Sequence, residues 1–220
     1  MHPSRPEAGL PGYTVGVKQV RWQPERDARV QLEELLPAAD EPGILVLGFS
    51  ASGGGEALEW SLLERWTRSR SVSVAEVAGE LRDSALEVAL CCDLVYLRRG
   101  ARIGLPAIGE VPPAGLVWAL VRAGRPALAR GLLGAGPIPA DEALDLRLAQ
   151  AVLAPGDPLP LPHPCSLVAL TAVRDLMRTR SPHAPALRLE LATFQLLFAT
   201  GQPQEGARAF LEGRQPRFEG

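Results

Sequence analysis

Two rhythms of hydrophobic and polar positions alternate along the chain. Residues 13–22 are β-branched and alternate in polarity, which predicts a strand with two unlike faces; residues 30–39 carry apolar side chains at helical spacing. The segment GILVLGF, residues 43–49, is a short continuous apolar run of the kind that a strand buried on both faces requires. A loop of small residues, ASGGG, follows at 51–55, then a helix over 57–69, a strand over 73–77, a helix over 84–92 and a strand over 94–97. Apolar strands separated by helices predict an α/β fold with a parallel sheet covered by helices. From residue 114 the pattern is helical, over 114–123, 126–133 and 140–146, and a proline-rich stretch at 154–164 precedes helical segments over 166–180 and 185–213. The expected organisation is an α/β core over residues 1–153 and a C-terminal helical region over 154–220.

Composition narrows the class. The chain has 220 residues, 46% hydrophobic and 22% charged, with a formal net charge of -2. That suits a soluble α/β domain and supplies no excess of cations to hold a phosphate backbone, so nucleic acid is not an expected partner. No apolar run approaches the roughly 18 residues needed to cross a bilayer, and the first dozen residues lack the apolar centre of a secretion signal. No membrane association is expected. Cys91, Cys92 and Cys165 are odd in number and lack metal-ligand spacing. They read as reduced core thiols, which points to the cytoplasm and to no bound metal.

The densest chemical information lies in VAEVAGELRDSALEVALCCD, residues 74–93, where a buried strand, a turn and a helix N-terminus follow one another. A helix beginning near Ser84 directs its unpaired N–H groups and the positive end of its dipole at whatever lies before the turn. Glu87 sits one turn inside. Read locally, Ser84-x-x-Glu87 is also a capping box, in which hydroxyl and carboxylate satisfy the first-turn amides. The glycines at 53–55 are not followed by the Gly-Lys-Ser/Thr ending of a phosphate loop. His2, His163 and His183 all lie outside these segments.

Several of these segments together carry a family likeness. Val77, Gly79, Glu87, Ala89, Leu90, Cys92 and Asp93 fall in step with the strand-turn-helix motif V-N-G-x-A-x-G-G-G-x-E-L-A-L-A-C-D of the enoyl-CoA hydratase/isomerase, or crotonase, superfamily. ARIGLP, from Ala101 to Pro106, resembles the family's A-R-F-G-x-P, and Gly109, Pro112 and Gly115 resemble its G-x-x-P-x-x-G turn. GPIPADEALDLRLAQAVL, from Gly136, and the ending FATGQPQEGARAFLEGRQPRF, from Phe198, are similar to two further family segments. The resemblance runs from about Gly43 to the C-terminus and is specific as a set. Before it, WQPERDA only faintly resembles the family's L-N-R-P-x-x-x-N-A, where the CoA end of the ligand lies.

This resemblance implies a crotonase-like fold, a ββα superhelical core of the type shared with Clp peptidases, with a C-terminal helical region that assembles trimers or hexamers. It implies an acyl thioester of CoA or of an acyl carrier protein as substrate, and no cofactor apart from the CoA that the substrate brings. Two main-chain N–H groups hold the thioester oxygen in such sites. Matched residue by residue, they fall on Gly53 and Ser84, and the helix glutamate falls on Glu87. The second family glutamate falls on Ala107, with Glu110 three residues later as a candidate substitute. The glycine triplet is replaced by Asp83, Ser84 and Ala85, whose Cβ atoms are expected to narrow or reshape the site. Hydration/dehydration or isomerisation of an enoyl thioester is the implied reaction. The lost glycines and the absent second glutamate also fit an accessory subunit of a polyketide-type pathway. Peptidase chemistry at Ser84 lacks a suitably placed histidine.

Overall fold

The computed structural model of the chain describes residues 16–51, 58–107, 135–161, 167–178, 196, 199–214 and 216–217. The chain divides into two compact units: residues 16–161, and residues 162–220 together with 1–15.

The first unit is built on a parallel five-stranded sheet. Its strands are β1 (Val17–Arg21), β2 (Ile44–Phe49), β3 (Val72–Val77), β5 (Leu94–Arg98) and β8 (Ala151–Leu153), hydrogen-bonded in that order. β2 and β3 are buried at five of six positions each. Such strands are largely apolar because layers cover both faces, with Ser73 and Glu76 the polar positions of β3, and this is why GILVLGF could be read directly. A second sheet contains β4 (Glu80–Leu81), β6 (Arg102–Ala107) and β7 (Ala135–Pro139), with β4 parallel and β7 antiparallel to β6. The helices expected over 114–123 and 126–133 lie outside the described residues.

Helix α1 (Ala28–Ala39) starts where Asp27 accepts a hydrogen bond from the Val30 amide at 2.9 Å, a side-chain cap that satisfies one free first-turn donor. Leu32, Leu35, Leu36 and Ala39 form its buried stripe. Helix α2 (Trp60–Thr67) contributes Leu62, Leu63 and Trp66 to the same core, and Trp22 packs on Phe49 with ring centroids 5.5 Å apart. Each such side chain, fully buried, contributes about 1.5–3 kcal/mol. Cys91 and Cys92 are buried within this core and form no disulfide. The exit of helix α3 (Asp83–Leu90) is pinned to the start of β3. Both the amide and the hydroxyl of Ser73 donate to Asp93 Oδ2, at 2.9 and 3.0 Å, and the Asp93 amide donates to the Ser73 carbonyl at 2.9 Å.

Helix α4 (Ala140–Asp145) ends in a Schellman motif: the Leu148 amide donates to the Ala143 carbonyl and the Arg147 amide to the Leu144 carbonyl. Arg147 occupies the left-handed position, φ 60, which glycine adopts without penalty. Replacing the exposed Arg147 with glycine is expected to stabilise the protein by about 0.5–1 kcal/mol, because relief of the Cβ strain outweighs the added flexibility of the unfolded chain. Chemical denaturation measures this, and an unchanged or lower midpoint refutes it.

In the second unit the described helices are α5 (Leu167–Arg178) and α6 (Gln202–Leu211). Arg214 donates to both carboxylate oxygens of Glu205, at 2.6 and 3.1 Å, and the Arg217 amide donates to the same carboxylate at 2.8 Å. These bonds fold the tail back onto α6. The Arg214 hydrogen bond, followed by that amide, holds Glu205 down to about 2. A folded-state value below the unfolded one means stability that is present above the ordinary carboxylate range and is lost as pH falls from there through about 2. Glu205→Gln is therefore expected to unfold more easily than the parent at pH 7, with the difference vanishing near pH 2, in thermal melts recorded across that range. Equal melting temperatures at pH 7 contradict it.

Candidate active site

Parallel pairing puts the C-terminal ends of β1, β2 and β3 on one edge of the sheet, where sites of parallel α/β folds gather. β2 and β3 end level: Phe49 pairs with Val77, and the Ala78 amide donates to the Phe49 carbonyl at 2.7 Å. The contact tightens one residue later. A Cβ on Gly79 would lie 2.9 Å from the Ser50 carbonyl carbon and closer still to its oxygen. Only glycine permits this approach, and it draws the turn before α3 against Ser50 and Ala51, the residues that lead into the glycine loop. Gly53 itself lies in residues 52–57, outside the described residues, as does Glu110.

After Gly79 the chain forms the two residues of β4, then Arg82 in extended conformation, then Asp83 with φ 52. That left-handed torsion is one for which glycine is suited and which aspartate tolerates better than most residues. Asp83 stands at the first of the three glycine positions and takes up a torsion open to glycine at the very start of α3. Its side chain is exposed. Ser84 and Ala85, in contrast, are fully buried.

The helix begins one residue earlier than its hydropathy pattern indicates, and the capping-box reading fails for that reason. Arg82 is the N-cap residue, no side chain caps the helix, and Ser84 is its second residue with an Oγ that has no hydrogen-bond partner among the described residues. Ser84 N–H, within the first turn, has no carbonyl four residues back inside the helix. Glu87 is fully buried on the same helix, which packs on β3 and β6. Residues three apart share a helix face, so Ser84 and Glu87 are neighbours there. β6 ends at Ala107, paired with Ala135, and no carboxylate occupies that position.

Two features of this edge escaped the sequence reading. Glu80 pairs with Arg82 and lies 3.6 Å from Arg102 Nε, so one carboxylate serves two guanidinium groups in front of α3. Gly104 makes room for this, since a Cβ there would collide with Arg82 Cγ. The spacing was the available signal: residues two apart in an extended segment share a side. The other feature is a cavity of about 180 Å³ at the end of β1, lined by Arg21, Trp22, Arg26, Glu34 and Leu35 among others. Buried Gln31 shapes it by donating to the carbonyls of Gln23 and Arg26, at 2.8 and 3.1 Å, and accepting from the Gln23 amide at 2.9 Å. Arg26 bonds Glu34 at 2.8 Å and thereby holds that carboxyl below its usual range.

The chain is similar to several known proteins. Residues 55–159 match the family model described as enoyl-CoA hydratase/isomerase. Among curated proteins, the 2,3-dehydroadipyl-CoA hydratase of Escherichia coli is 33% identical over 70% of this chain and 67% of its own length. The chain belongs to the enoyl-CoA hydratase/isomerase family. Another relative, the crotonyl-CoA hydratase of Syntrophomonas wolfei, is 31% identical over 66% of the chain and 60% of its own length. The aligned part thus spans about two thirds of these relatives. Solved structures show the crotonase fold over nearly the whole chain. A putative enoyl-CoA hydratase/isomerase from Mycobacterium abscessus superposes with a TM-score of 0.75, at 21% identity and coverage of 95% and 98% of the two chains. An enoyl-CoA hydratase subunit from Geobacillus kaustophilus gives 0.73 at 24% identity, covering 93% and 95%. Among the described residues, no helix is long and apolar enough to cross a membrane.

Proposed function

We propose that the protein binds an acyl thioester of CoA, or of an acyl carrier protein, and catalyses a proton-transfer reaction at its α,β-carbons through an enolate. The thioester oxygen is held by two main-chain donors, Gly53 N–H and Ser84 N–H. Preorganised donors of this kind contribute about 3–4 kcal/mol each where charge develops on the oxygen. Glu87 takes and returns the proton. The observation that carries this reading is the left-handed bend at Asp83, which keeps the glycine-type turn and presents Ser84 N–H one helical turn ahead of a fully buried carboxylate. Gly79 pressed against Ser50 adds support, since it brings the turn before α3 against the residues that precede the glycine loop.

The reaction favoured is isomerisation, in which a single carboxylate removes a proton from one carbon and delivers it to another. Hydration requires a second acid/base group to hold the water, and Ala107 provides none. Glu110 is the candidate to supply it. The charged cavity beside Gln31, at the same sheet edge, is offered for the CoA end of the ligand. Assembly into trimers or hexamers is part of this proposal, supported by the exposed Val173 and Leu211 on α5 and α6. A cytoplasmic setting is supported by Cys91 and Cys92, buried and not joined in a disulfide.

The test is to mix the protein separately with crotonyl-CoA and with a 3-enoyl-CoA and follow ultraviolet absorbance. Conversion of the 3-enoyl to the 2-enoyl thioester establishes isomerisation, and loss of crotonyl absorbance establishes hydration. Binding without turnover of either sinks the catalytic reading and leaves an accessory thioester-binding subunit.

A further inference from the structure

The Ser84 hydroxyl is polar, fully buried and without a hydrogen-bond partner among the described residues. Serine hydroxyls on helices ordinarily bond back to the carbonyl three or four residues earlier or act as caps. Ser84 does neither, because the cap position belongs to Arg82 and no side-chain cap bond forms. A buried donor left unpaired in the free protein is a standing destabilisation, so its retention calls for a partner that arrives later.

We propose that Ser84 Oγ–H is an additional side-chain donor to the thioester oxygen, acting beside the Ser84 amide. This rests on the assignment of Ser84 N–H to the oxyanion hole. The amide nitrogen and Oγ of one serine are separated only by Cα and Cβ, so both can converge on one oxygen at a helix N-terminus, where the dipole also favours negative charge. A glycine in this place has only the amide. The hydroxyl donates more strongly to an enolate oxygen than to a neutral carbonyl, because bonds to charged acceptors are roughly twice as strong. Ser84 is thereby a substrate-contacting residue whose side chain discriminates the enolate from the ground state.

The experiment uses the full chain and its Ser84→Ala and Ser84→Gly variants, with acetoacetyl-CoA as the enolisable probe and butyryl-CoA as the saturated one. Calorimetry reads affinity, and ultraviolet absorbance reads the enolate fraction of bound acetoacetyl-CoA. Both variants keep the amide and lose the hydroxyl. They are expected to bind acetoacetyl-CoA about ten- to a hundred-fold more weakly, with a smaller enolate fraction, and to bind butyryl-CoA nearly as the parent does. Parent-like enolate binding by both variants overturns the proposal and leaves the amide assignment standing. A loss in only one of the two variants also overturns it, since both lack the hydroxyl and its absence then cannot be the cause. If the parent binds neither thioester, the site assignment falls and the hydroxyl role falls with it.

Discussion

Glu87→Gln is expected to lower turnover of an enoyl thioester by about 10²-fold or more, with thioester affinity and thermal stability close to those of the parent. Glutamine has the shape of glutamate and nearly the same helix propensity, so α3 keeps its place between β3 and β6. What is lost is the ability to accept a proton. Because Glu87 is fully buried, water cannot readily stand in for it. The effect belongs in kcat, since the carboxylate acts on the reacting carbon and not on the CoA handle. Steady-state kinetics and a thermal melt on the same preparation check both halves, and parent-like kcat removes Glu87 from the mechanism.

Gly79→Ala is expected to be the most damaging small substitution in the described core, costing about 3 kcal/mol, at the upper end of what overpacking usually costs. The atoms in the way are the carbonyl carbon and oxygen of Ser50, main-chain atoms that cannot rotate aside. Either the β2 loop or the turn before α3 must move, so activity is expected to fall together with stability. For a chain of 220 residues the cost corresponds to a lowering of the melting temperature of roughly 6–12 °C. Gly104→Ala is the natural control. Its principal clash is with the partly exposed Arg82 side chain, which can swing away, so the loss there is expected to be smaller. If Gly79→Ala melts within a degree or two of the parent, the close approach is not what holds these loops together.

Much of this could be read before any coordinates. β2 announced itself as an unbroken apolar run because a strand covered on both faces leaves little room for polar side chains, and Glu87 was found through its motif neighbours from Val77 to Asp93. What stayed hidden has physical reasons. β7 is AGPIP and β6 is RIGLPA, and proline and glycine in so short a run read as turn. Their strand character comes from pairing with each other, a non-local fact. The helix start was displaced by one residue because Asp83 adopts a positive φ that its side chain does not announce. That single shift turned an apparent capping box into a buried, unpartnered hydroxyl. Gln31 looked like an ordinary polar helix residue, and only the loop it grips shows why it is buried.

The level ends of β2 and β3 have a consequence for how this chain could change over time. Adjacent strands lie about 4.8 Å apart wherever they pair, so the sheet's own repeat sets the gap between the two loops that leave it. Substitutions within either loop do not reset that gauge. A family can therefore exchange side chains freely at this rim, as at Asp83 and Ser84, while the distance across it persists.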